Sequence, residues 1–113
     1  MSRDVKAEIS DEIAQNKIVL YMKGTPEMPR CGFSAASADL LNQMGVPYLG
    51  INVLEDEEKW VAIREYSDWP TIPQLYVDGQ FIGGCDIMRE MFAKGDLQTS
   101  IQKAFEDVDT DAG

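Results

Sequence analysis

Apolar residues along the chain switch between helical and strand periods, and the switches mark the elements. Val5, Ile9 and Ile13 recur at helical spacing among charged residues, which predicts a first helix over about residues 5–14. Residues 18–22, Ile-Val-Leu-Tyr-Met, are continuously apolar and rich in strand formers, the pattern of a buried central strand ending at Lys23-Gly24. From Gly32 onward Phe33, Ala36, Leu40, Leu41 and Met44 step by three and four, a second helix closed by Gly45 with Pro47 beyond. Residues 48–53 read as a second strand. A third helix opens at Leu54-Glu55-Asp56-Glu57, where an acidic first turn suits the helix dipole, and its inward stripe is Trp60, Ile63 and Tyr66. Trp69-Pro70-Thr71-Ile72-Pro73 then breaks the helical pattern, because proline lacks a donor and restricts the residue before it. Residues 74–77 and 80–82 predict two short strands joined at Asp78-Gly79, a strong hairpin signal. Gly83-Gly84 leads into a helix over about 86–93, and Gly95-Asp96 stops it and caps a last helix to about 105, followed by an acidic, fraying tail.

This order makes a βαβ half followed by a ββα half, hence an α/β domain whose mixed four-stranded sheet carries helices on both faces. A right-handed crossover places the end of the first strand at the carboxyl edge of the sheet, where open α/β folds bind ligands. All 113 residues read as one domain, with an ordered core over about 5–105. The formal net charge of −10 argues against a phosphate backbone as partner, since nucleic-acid affinity rests on basic patches. Much of the acidity lies at 55–58 and 106–111, while Lys23, Arg30 and Lys59 are candidates for a local positive site. The longest apolar run is strand length, far below the roughly 20 residues a bilayer needs, and the charged N-terminus has no signal-peptide core. No membrane association and a cytoplasmic location are expected.

Two cysteines and no histidine exclude Ser-His or Cys-His nucleophile pairs and two-His metal sites. Cys31 lies where a strand runs into a helix, so unpaired N–H groups of the first turn favour its thiolate, with positive charge added by Arg30 and Lys23. Position 34 is Ser, so the chain lacks the second sulfur that resolves a mixed disulfide in Cys-x-x-Cys sites. Cys31 therefore awaits an external thiol or serves as a ligand. Gly84-Cys85-Asp86 opens a helix, where N–H groups can cap the helix or bind a carboxylate and Asp86 can accept from an ammonium. Cys85 reads as buried rather than reactive. The Ile72-Pro73 bond is open between a trans proline starting an edge strand and a cis proline that exposes the Ile72 backbone to a peptide ligand.

Cys31-Gly32-Phe33-Ser34, preceded by Lys23-Gly24-Thr25-Pro26 and followed by Trp69-Pro70-Thr71-Ile72-Pro73-Gln74-Leu75 and Gly83-Gly84-Cys85-Asp86, resembles the monothiol glutaredoxins of Cys-Gly-Phe-Ser type over about residues 5–105. The resemblance implies a thioredoxin fold, glutathione as cofactor and a [2Fe-2S] cluster bridging a homodimer. It also implies transfer of the cluster to iron–sulfur acceptor proteins and pairing with a BolA-like protein. By matching position Cys31 resembles the cluster ligand, Lys23 the contact to the glycine carboxylate of glutathione, and Ile72 the backbone partner of its cysteine. Pro73 resembles a cis-proline, and Gly84, Cys85 and Asp86 the γ-glutamyl clamp. The family usually has an arginine nine positions before the Trp-Pro-Thr tryptophan. Here that position is Trp60, an indole that cannot fork onto a carboxylate, so that either glutathione is held more weakly or the adjacent Lys59 substitutes. The competing expectation is an enzyme, a glutathione-dependent oxidoreductase in which Cys31 attacks protein–glutathione mixed disulfides. A third is an interaction module in which Cys31 is incidental.

Overall fold

In the computed structural model, which describes residues 3–112 and side chains over 3–106, a central strand divides two sets of helices. The elements are α1 (Val5–Gln15), β1 (Ile18–Met22), α2 (Gly32–Gln43), β2 (Leu49–Asn52), a 3₁₀ turn (Val53–Glu55), α3 (Glu57–Ser67), β3 (Gln74–Val77), β4 (Gln80–Gly83), α4 (Cys85–Lys94) and α5 (Asp96–Ala112). The sheet order is β2-β1-β3-β4, with β1 parallel to β2 and antiparallel to β3, and β3 antiparallel to β4. This is the mixed sheet with helices on both faces expected from the element order, and the thioredoxin fold that the resemblance implies.

Every residue of β1 is buried, because its alternating side chains feed two cores. Ile18, Leu20 and Met22 pack with Ala38 and Leu41 of α2, Met88 of α4, and Leu97 and Ile101 of α5. Val19 and Tyr21 point the other way, against Ile9 and Ile13 of α1 and Ala62 and Ile63 of α3. A fully buried Leu or Ile contributes roughly 1.5–3 kcal/mol, so the continuous run at 18–22 anchors both layers. The hairpin turns through Asp78 and Gly79, both at positive φ (51° and 80°), the pair of conformations that matches the twist of the flanking strands.

Several expected boundaries move. The third helix starts at Glu57 rather than at Leu54, because a 3₁₀ turn intervenes and Asp56 caps the helix by accepting the Lys59 N–H at 3.2 Å. Tyr66 is 41% exposed, outside the buried stripe of α3, whose inward residues are Lys59, Ala62 and Ile63. The backbone of α5 continues to Ala112 instead of stopping near 105. Among the described residues no helix is long and apolar enough to cross a membrane.

Candidate functional site

Between β1 and α2 the chain makes a loop that is closed on itself. Arg30 N–H donates to the Lys23 carbonyl at 2.9 Å, and Thr25 and Met28 exchange backbone bonds at 3.2 and 3.0 Å. Gly24 sits at φ +92°, and a Cβ there would lie 2.5 Å from Arg30 N, so the closure requires glycine. Two side chains tie this loop to the sheet. Asn52 Oδ1, at the end of β2, accepts the N–H groups of Gly24 and Leu54, each at 2.9 Å. Ser34 Oγ, fully buried in the first turn of α2, accepts the Lys23 N–H at 3.0 Å.

Cys31 is thereby fixed at the N-cap position of α2, partly exposed. Its thiol is held below the ordinary 9.0, chiefly by the Ser34 backbone N–H. The Phe33 N–H, the Lys23 charge and the Ser34 hydroxyl act in the same direction, and partial burial opposes them. Arg30, expected to add to this effect, is exposed and is not among the leading causes. The helix mouth supplies the largest share.

The thiol opens on a cavity of about 560 Å³ lined by Lys23, Cys31, Phe33, Trp60, Arg64, the 69–73 segment, and Gly84, Cys85, Asp86 and Ile87. Lys23, Cys31, Ile72, Pro73, Gly84, Cys85 and Asp86 thus converge as the sequence suggested. The Ile72-Pro73 peptide is cis. Buried Gln74 holds the segment before it, its Nε2 donating to the carbonyls of Trp69 at 3.1 Å and Thr71 at 3.2 Å. Gly84 lies against this segment so closely that a Cβ would come 3.2 Å from the Pro73 carbonyl oxygen and 3.7 Å from Trp69 Nε1. Cys85 is 5% exposed and both cysteines are free thiols, while Asp86 stands exposed in the first turn of α4.

Lys59 is the correction. It is 6% exposed and turned away from the cavity, its Nζ bonded to Glu12 at 2.5 Å and lying 3.4 Å from Glu8 on α1. Glu12 in turn accepts the Tyr21 hydroxyl at 2.8 Å, so Lys59 belongs to a polar clamp between α1 and α3. The cation that α3 does bring to the cavity is Arg64, which the sequence reading left out. Gln74 was likewise read only as a strand residue. A glutamine opening an otherwise apolar strand after two prolines was the available signal for it.

Residues 18–82 match the glutaredoxin family model. The chain is 46% identical over 104 residues to a monothiol glutaredoxin of Synechocystis, covering 92% of this chain and 97% of the relative. It belongs to the monothiol glutaredoxins. Monothiol glutaredoxin-5, a mitochondrial protein of Saccharomyces cerevisiae, is 47% identical over 107 residues, covering 92% of this chain and 71% of its own. Among solved structures, reduced apo GrxS14 of poplar superposes with a TM-score of 0.80 at 42% identity, covering 89% of this glutaredoxin and 93% of the poplar chain. A buckwheat glutaredoxin in complex with glutathione shares the fold (TM-score 0.80, 21% identity, 88% and 89% covered).

Proposed function

We propose that this glutaredoxin binds glutathione in the Cys31 cavity. Two chains and two glutathione molecules together would hold a [2Fe-2S] cluster as cargo for delivery to iron–sulfur acceptor proteins. The observation that carries the reading is the pairing of an activated, open thiol with a Ser34 that is committed to the backbone of Lys23. A sulfur so placed has no resolving partner at position 34 and is free to act as a ligand. Cluster sites usually need four thiolates. Among the described residues no group of three or more His, Cys, Asp or Glu could hold a metal, and this reading takes the missing ligands from a second chain and a small thiol.

The cavity has the chemistry of a zwitterionic thiol peptide. Lys23 offers an ammonium to a carboxylate, Ile72 a backbone edge, the first turn of α4 at Gly84 and Cys85 its N–H groups, and Asp86 an acceptor for an ammonium. Phe33, 58% exposed, lines the cavity with Cys31 and offers an apolar contact that suits a second chain or a BolA-like protein. The cytoplasm is the compartment assigned, consistent with two free thiols.

The test is anaerobic reconstitution with iron, sulfide and glutathione, followed by metal and glutathione counts and sedimentation. A coloured dimer with one glutathione per chain, lost in Cys31→Ser and kept in Cys85→Ser, is expected. A colourless monomer would overturn the carrier reading. Rapid reduction of protein–glutathione mixed disulfides by that monomer would establish the oxidoreductase instead.

A further inference from the structure

Two residues of β2 meet the loop that carries the thiol. Gly50 and Asn52 stand two apart in the strand, so they share a face, and they pair with Leu20 and Met22 of β1. Pro26 of the loop lies over Gly50, where a Cβ would come 2.5 Å from Pro26 Cγ and 2.9 Å from Pro26 Cδ. Gly50 is not at positive φ, so the proline ring and not the backbone calls for glycine there. Asn52 Oδ1 accepts two N–H groups, those of Gly24 in the loop and Leu54 in the 3₁₀ turn, each at 2.9 Å. The Leu54 bond is an ordinary cap of that turn. Capping does not require the Gly24 bond, which satisfies a donor on a buried residue.

The loop's own bonds, Arg30 to Lys23 and Thr25 to Met28, close it into a ring without saying where the ring sits. Lys23 enters this ring, Cys31 leaves it, and both line the cavity. The bond from Lys23 to Ser34 gives one fixed point, about which the ring could still turn. The contacts with β2 supply a second. The same Asn52 oxygen joins the ring to the turn that leads into α3, whose Trp60 also lines the cavity. An amide oxygen makes both bonds without bringing a carboxylate close to Lys23, where it would compete for the ammonium.

We propose that Asn52 is a positioning residue of the Cys31 site: with Gly50 beneath Pro26, it seats the 24–30 loop on β2 and so fixes how Lys23 and Cys31 meet the cavity. Asn52 does not line the cavity and acts through Gly24. Its bearing on binding rests on the reading of the cavity as a glutathione site, whereas the seating of the loop does not.

The test compares Asn52→Ala, Asn52→Asp and Gly50→Ala with wild type, all reduced, by amide hydrogen exchange and by NMR titration with glutathione. In Asn52→Ala the Gly24 amide loses its acceptor and should exchange about tenfold faster, while the amides of β1 keep their protection relative to global stability. Glutathione should bind this variant severalfold more weakly. Asn52→Asp keeps the oxygen and should restore the protection of Gly24. Gly50→Ala keeps Asn52 but drives a methyl into Pro26, so it should shift the resonances of residues 24–30 and weaken glutathione severalfold. Adding Pro26→Ala removes the obstructing ring and should return part of that affinity. Exchange at Gly24 that rises only in step with the whole sheet, or wild-type glutathione affinity in Asn52→Ala, would reduce Asn52 to a stabilising cap and overturn the proposal. A Gly24 amide as unprotected in Asn52→Asp as in Asn52→Ala would overturn it as well. No return of affinity with Pro26→Ala would place the Gly50→Ala effect in the sheet and refute the seat beneath Pro26. Wild type that binds no glutathione would remove the reading of the cavity, and exchange at Gly24 would then decide the seating of the loop alone.

Discussion

Replacing Ser34 by Ala separates two contributions that meet at the thiol. Ser34 is 0% exposed and its Oγ accepts the Lys23 N–H at 3.0 Å. Alanine fits the helix but leaves that part-buried N–H without its partner, a cost of about 1–3 kcal/mol. With a urea slope typical of small domains, the unfolding midpoint at neutral pH falls by roughly 1 M. The effect on Cys31 is smaller. The hydroxyl is the least of the groups lowering the thiol, while the Ser34 backbone N–H, the largest, survives the substitution. The thiol pKa therefore rises only part of the way toward 9.0. A depressed folded pKa gives stability that is present above the unfolded value and lost as pH falls through the folded one. The thiol's share of the deficit consequently grows toward alkaline pH, whereas the unpaired N–H costs the same throughout. Urea denaturation at neutral and alkaline pH, with thiolate absorbance followed against pH, reads both. An unchanged midpoint, or a thiol restored fully to its ordinary value, would refute the assignment of the two roles.

Lys59→Met should lose about 1–3 kcal/mol, because Glu12 and Glu8 lose their buried partner, and should leave glutathione affinity unchanged. A weakened glutathione titration with intact stability would return Lys59 to the site. Gln74→Leu removes both donors from the Trp69 and Thr71 carbonyls, so it should destabilise by about 1–3 kcal/mol and loosen glutathione severalfold. Affinity equal to wild type would show that the 69–73 segment holds its shape unaided. Asp56 is held down at about 2, first by its hydrogen bond from Arg3, so its stabilisation is present above about 3.8 and disappears as pH falls to about 2. Arg3→Ala should accordingly destabilise at neutral pH and not at pH 2, and an equal loss at both would contradict the sign.

The fold was legible wherever one residue type enforces one local outcome. A wholly apolar pentapeptide at 18–22 had to be central, and Asp78-Gly79 had to turn, because both rules act over a few neighbouring residues. The places of Cys31 and Asp86 at helix starts were legible for a related reason, since each boundary is set by its own neighbours, whereas the residues left the Ile72-Pro73 bond open between trans and cis. What the chain did not disclose were contacts decided by distant segments. Ser34 reaching Lys23, Asn52 reaching Gly24 and Gln74 reaching back to Trp69 each satisfy a backbone group that only the assembled loops bring near. The 3₁₀ turn before α3 was missed because Asn52 and Asp56 are both acceptable caps, and which one opens the helix depends on where β2 ends.

The exchange of Lys59 for Arg64 follows from helical phase. Successive residues on an α-helix are separated by about 100°, and those four apart fall on nearly the same stripe. Once Ile63 is placed in the core against α1, Lys59 must share its stripe, and its ammonium is committed to the acids of that helix. Trp60 lies one step around, at the rim of the cavity, and the residue that shares its stripe is Arg64. Adjacency in sequence pointed to a cation that faces α1, whereas the four-residue period, applied from Trp60, selects the one that lines the cavity.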